Sequence, residues 1–123
     1  MQKCISEFFM TKTEFFRTMA MAIQHTNSHY ILRYPVELGD GTVMSIQASE
    51  YHYCNPRNND AYEWETWEIG FPTQVIQELM AYVEDETKPT DTVYACVPTD
   101  VILDIINSRD GVLKILMDRV NKT

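Results

Sequence analysis

The tripeptide Gly39-Asp40-Gly41 separates two apolar runs that alternate, and a short Gly-Asp-Gly turn between such runs closes a β-hairpin. A hairpin that tight joins antiparallel strands only, because a parallel pair needs a crossover of a dozen residues or more. Before the turn, Tyr30, Leu32, Tyr34 and Val36 alternate with Ile31, Arg33, Pro35 and Glu37. Both faces of that run are partly apolar, and Pro35 removes a ladder donor, which suits an edge or a strand end. After the turn, Met44, Ile46 and Ala48 are in phase. Tyr51 and Tyr53 take the opposite parity, which a bulge near Ser49-Glu50 would explain.

The rest of the chain fits around that hairpin. Thr11 and Glu14 have the spacing of a capping box, and Phe15, Met19, Ala22 and Ile23 share one helical face, so a helix is expected over about 12–24. Tyr62, Trp64, Trp67, Ile69 and Phe71 predict a third, irregular strand. Pro72-Thr73 then opens a second helix with Val75, Ile76, Leu79, Met80 and Val83 as its stripe, ending at Glu84-Asp85-Glu86. Acidic residues are disfavoured at a helix C-terminus, so the element should stop there. The run 92–97 reads as a short central strand. Pro98-Thr99-Asp100 caps a third helix with Val101, Ile102, Ile105 and Ile106 inward, and Val112, Leu116 and Val120 predict a fourth after the break at 107–111. The predicted class is α+β: one antiparallel sheet with an N-terminal helix and C-terminal helices packed on it. The 123 residues suit a single domain, with 1–10 as a loosely held arm. Apolar surface is hard to hide on so small a body, so a homo-oligomer built from twofold dimers is expected.

Charge narrows the function. The formal net charge is -8, from 18 acids against 10 Lys and Arg, and binding to a nucleic acid duplex needs the opposite sign. A small anion needs only two or three local cations. No apolar run reaches membrane-spanning length, and the first nine residues are too short and too polar for a signal peptide. Cys4, Cys54 and Cys96 are odd in number and far apart, unlike a disulfide framework or a zinc ribbon, so the cytoplasm is the expected compartment.

Catalytic patterns are weak. His52 and Cys54 share one strand face if that segment is extended, but a metal site needs further ligands, and a Cys-His nucleophile needs a third orienting group. There is no Walker loop or dinucleotide fingerprint, and nothing calls for a cofactor. What remains are groups suited to binding. Arg57 follows two tyrosines and the Asn55-Pro56 break, so a loop guanidinium lies beside aromatic faces. Arg109 sits in the polar interruption 107–111, Tyr82 closes a helix, and Thr92 opens a strand with a hydroxyl. Gathered together, these groups would serve a pyrophosphate, a base and a ribose. Lys12 and Arg17 lie near the start of the first helix, where the helix dipole does not favour cations.

Three phrases carry a resemblance: Ala48-Ser49-Glu50-Tyr51-His52-Tyr53-Cys54-Asn55-Pro56-Arg57, Glu68-Ile69-Gly70-Phe71-Pro72, and Asp91-Thr92-Val93-Tyr94-Ala95-Cys96-Val97-Pro98. Over about 43–111 the chain resembles the first-described phage Thoeris anti-defence sponge family. The resemblance implies a protein that is no enzyme and that sequesters glyco-cyclic ADP-ribose, the signal of bacterial TIR-domain proteins, inside an infected cell. It implies Arg57 and Arg109 as pyrophosphate or ribose ligands, Tyr82 as the stacking aromatic and Thr92 as a polar contact. It also implies dimer-based oligomers with ligand pockets between protomers. Some members hold cyclic trinucleotides of the CBASS system at a second site, for which Lys12 and Arg17 are the candidates here.

A different class remains open. Asp60, Glu63, Glu65 and Glu68 cluster in sequence, and with the net charge they would suit an acidic inhibitor docked on the basic surface of a nuclease or another nucleic-acid-binding protein.

Overall fold

The structure, a computed structural model, describes residues 9–24 and 30–119. A five-stranded sheet, antiparallel at every pairing, carries an N-terminal and a C-terminal helix, as the α+β reading expects. In chain order the elements are α1 (Lys12–Met21), β1 (Val36–Leu38), β2 (Val43–Gln47), β3 (Thr66–Gly70), a 3₁₀ helix (Gln77–Tyr82), β4 (Val93–Pro98), α2 (Thr99–Ser108) and β5 (Val112–Ile115). The strands lie in the order β4-β3-β2-β1-β5.

The capping box forms as predicted. The Glu14 amide donates to Thr11 Oγ1 at 3.1 Å, and the Thr11 amide donates to Glu14 Oε1 at 2.8 Å. α1 ends at Met21, three residues before the expected stop, because the next residues pair with the strand-like segment 32–34 instead. Gln24 donates to the Leu32 carbonyl, Tyr34 donates to that of Ala22, and Ile23 bridges Arg33. The hairpin turn is also as expected: Gly41 has φ +92, and Asp40 Oδ1 accepts from the Thr42 amide. Gly39 is required for another reason. A Cβ there would run into Asp110 and the carbonyl of Arg109.

The run before the hairpin turn enters the sheet only at Val36, and Tyr62 and Trp64 precede β3 while Phe71 follows it. Four further expectations need correction. Tyr51 and Tyr53 lie in a turn after β2, not on a bulged strand. The second helix is a six-residue 3₁₀ helix, with Val75 outside it and 49% exposed. Its flanks are fastened, since Thr73 exchanges two hydrogen bonds with Val43 and Val83 bridges Tyr94. A 3₁₀ helix rises further per residue than an α-helix and so spans a fixed gap with fewer residues. β4 is an edge strand rather than a central one. The expected fourth helix is β5, because Asp110 (φ +65) and Gly111 (φ +84) reverse the chain and deliver it to the open side of β1. Val120 lies outside the described residues, as does most of the 1–10 arm. Met10 is nevertheless fastened: its amide donates to Asn107 Oδ1, and Asn107 Nδ2 donates back to its carbonyl.

The core is aromatic at its centre. Phe15 meets Trp67 edge-on at 5.2 Å, Phe16 stacks on Trp67 at 6.4 Å, and Trp67 Nε1 donates to Thr99 Oγ1 at 3.0 Å. Against these rings lies Arg33, 1% exposed, with its guanidinium 5.1 Å from Trp64 and 5.3 Å from Trp67. Its Nε donates to the Met19 carbonyl and its Nη1 to that of Ala48. Gln47 completes the frame, accepting from the Arg33 amide and donating to its carbonyl. Burial pulls the guanidinium down to about 10, so it stays charged at neutral pH. Arg33→Ala should lower the unfolding free energy by about 3 kcal/mol, as expected when a buried, hydrogen-bonded charge is removed. Urea denaturation checks this, and an unchanged midpoint would show that the site is not structural.

Candidate functional site

The segment after β2 is a surface loop on a buried polar base. Ser49 Oγ lies 2.6 Å from His52 Nδ1 and accepts from the Tyr51 amide. Cys54 Sγ donates to the carbonyls of Ser49 and Pro56. The Tyr53 amide donates to Glu68 Oε1 at 2.9 Å, and the Tyr53 carbonyl accepts from the Cys96 amide at 3.0 Å. Asn55 then bridges Thr66. Ser49, His52, Cys54 and Glu68 are buried, whereas Tyr51 and Tyr53 are about half exposed. Arg57 is exposed and stands over the Tyr53 ring, its guanidinium 5.6 Å from the centroid. Tyr30 lies 5.3 Å from Tyr51 and 5.7 Å from His52, so the aromatic surface continues beyond the loop.

The electrostatics of this base follow from burial. His52 is pushed down to about 4, first by desolvation and then by the charges of Arg33 and Arg57. Burial raises Glu68, which its bond from Tyr53 and the charge of Arg57 partly offset and the charge of Glu84 reinforces. Burial also raises the Cys54 thiol. His52 and Cys54 turn to different partners, so neither activates the other. Among the described residues no three His, Cys, Asp or Glu side chains form a metal-binding group.

The other predicted residues fall as follows. Arg109 closes α2 and is held by Glu78 through two contacts at 3.2 and 3.3 Å, with Asp40 at 3.9 Å. Tyr82 ends the 3₁₀ helix half-buried and packed on the core. Thr92 is 7% exposed, and its Oγ1 accepts from the Asp85 amide at 3.2 Å, so the hydroxyl is engaged within the chain. These three therefore surround the segment 77–85, whereas Arg57 belongs to the loop after β2. Among the described residues Arg57 and Arg109 share no partner within one chain. Arg17 is exposed on α1. Lys12 pairs with Asp100 at 3.3 Å in a groove of about 390 Å³ that Glu63 and Glu65 also line. That field is poor for the phosphates of a cyclic trinucleotide. Glu68 leaves the acidic cluster altogether, since it is only 6% exposed.

Sequence reasoning set Arg57 beside Tyr51 and Tyr53 without choosing between them, and the structure pairs it with Tyr53. The same reasoning missed Arg33, which reads as an ordinary outward residue of an alternating strand. A second hollow, of about 70 Å³, lies against Arg33, Trp64 and Trp67 and is too small for a nucleotide. No helix among the described residues is long and apolar enough to cross a membrane. Comparisons of the chain with family models, curated proteins and solved structures found no match.

The pH dependence of stability follows from His52. In the unfolded chain a histidine titrates near 6.5, while here it titrates at about 4, so between those values the unfolded state holds the extra proton. Its contribution is full above about pH 6.5 and is lost as pH falls toward 4, by on the order of 3 kcal/mol. Glu68 opposes it, since a raised carboxyl gains stability as pH falls. The difference between wild type and His52→Asn isolates the histidine. The wild-type unfolding free energy should fall more steeply than the variant's over that window, and parallel curves would refute the assignment.

Proposed function

We propose that the chain is a non-catalytic binding protein that sequesters a nucleotide signal of the cyclic ADP-ribose type, the reading that the resemblance over 43–111 implies. The observation that carries it is the exposed Arg57 guanidinium 5.6 Å from the half-exposed Tyr53 ring, on a loop whose backbone is fixed from below. A guanidinium offers forked donors to a phosphate, and a fixed backbone lowers the ordering cost of binding. The hydroxyl and imidazole that most resemble a catalytic pair, Ser49 and His52, are 0% and 2% exposed, which favours holding a ligand over cleaving it. Arg109 is the second guanidinium of this reading, and it completes the pocket from a neighbouring protomer of a twofold pair. A cyclic trinucleotide is a second ligand of the same reading.

Incubation with glyco-cyclic ADP-ribose followed by heat denaturation should return the ligand intact, and a cleaved product would overturn sequestration. Arg57→Ala should weaken binding about 10- to 150-fold, the equivalent of a charge-assisted hydrogen bond of about 1.5–3 kcal/mol, at an unchanged melting temperature. Calorimetric titration reads the loss.

The groove lined by Glu63, Glu65, Asp100 and Trp64 favours a second reading, an acidic surface that docks on a basic protein. The variant Glu63→Lys, Glu65→Lys separates the two. It should leave nucleotide binding within about twofold under the first reading, and it should abolish retention on a basic partner under the second.

A further inference from the structure

The geometry points to Tyr53, and not Tyr82, as the aromatic that stacks on the nucleobase, with Arg57 taking the adjacent phosphate; this rests on the nucleotide-binding reading above. Three observations carry it. Tyr82 is half-buried and packed against the core, so much of its surface is already covered. Tyr53 is 49% exposed, and the only ring contact it makes among the described residues is with Arg57. Its backbone is gripped on both sides, by Glu68 Oε1 at the amide and by the Cys96 amide at the carbonyl. Cys96 makes that bond from a left-handed conformation, φ +53, beside a shift in the β3–β4 register. A side chain with two rotatable torsions on a clamped backbone loses little freedom when it stacks.

The chemistry defines what the surface selects. One ring and one guanidinium recognise a ligand that carries a base and a phosphate a few ångströms apart. Stacking needs a π face but not a particular base edge, so the pair selects nucleotides as a class over sugar phosphates and pyrophosphate. Base identity has to be read by other groups.

The test is calorimetric titration of the intact protein with glyco-cyclic ADP-ribose, ADP-ribose and inorganic pyrophosphate, using wild type, Tyr53→Ala, Tyr53→Phe and Tyr82→Ala. Melting temperatures identify any variant that fails to fold. Tyr53→Ala should weaken both nucleotides about 5- to 150-fold, the equivalent of about 1–3 kcal/mol of stacking, and leave pyrophosphate unchanged. Tyr53→Phe should restore nucleotide affinity, because the face and not the hydroxyl is used. Tyr82→Ala should cost less than Tyr53→Ala. Wild-type binding that survives Tyr53→Ala undiminished overturns the stacking role and leaves the nucleotide reading standing. A wild type that binds none of the three ligands overturns both.

Discussion

One buried guanidinium holds the architecture together. Arg33 reaches from the segment before β1 to the carbonyl of Met19 in α1 and to that of Ala48 after β2, packed against two neighbouring indole rings. An arginine in such a place is costly to desolvate, so each donor must find an acceptor, and those acceptors are backbone atoms at defined points. The position of α1 relative to the sheet is therefore set by hydrogen-bond geometry as well as by apolar contact. Gln47 transmits the same constraint to β2 by exchanging two bonds with the Arg33 backbone.

That constraint reaches the surface within two residues. Ala48 is tied to Arg33, and Ser49 begins the buried polar base on which Tyr51, Tyr53 and Arg57 stand. The exposed aromatic loop thus grows directly from the hydrogen-bonded frame around Arg33. Such continuity suits recognition, where a group held in place before the ligand arrives costs less to use. The acidic groove beside Lys12 has a different origin. It lies between the start of α1 and the start of α2, with Phe16 and Trp64 at its base.

What the sequence revealed, and what it hid, follows from the range of the interactions. The capping box at Thr11-Glu14 and the Gly39-Asp40-Gly41 turn are decided by neighbouring residues and were legible. The helix after Pro98 was legible from its apolar stripe, but the expected side-chain cap is absent and the Thr99 hydroxyl donates to the Trp64 carbonyl instead. β5 was hidden because Val112, Leu116 and Val120 fit a helical period, while the deciding factors were the reversal at Asp110-Gly111 and a vacant side on β1. The 3₁₀ helix was hidden because its form depends on anchors at Val43 and Tyr94, some 30 residues upstream and a dozen downstream of it. At the site, the Tyr-His-Tyr-Cys-Asn-Pro-Arg run placed Arg57 in a loop near aromatic rings. Nothing local could show that Glu78 and Asp40 hold Arg109, or that Asp85 takes the Thr92 hydroxyl, since those partners come from other elements.

The two margins of the sheet are unlike. On the far side of β4, Val83 and Glu84 already pair with Tyr94 and Val93. β5, among the described residues, pairs with β1 alone. Among the described residues β5 is therefore the open seam for strand addition, and a twofold union of two β5 strands consumes both copies of it. A union by that route closes on itself as a pair with a ten-stranded sheet, and a larger ring would have to use other surfaces.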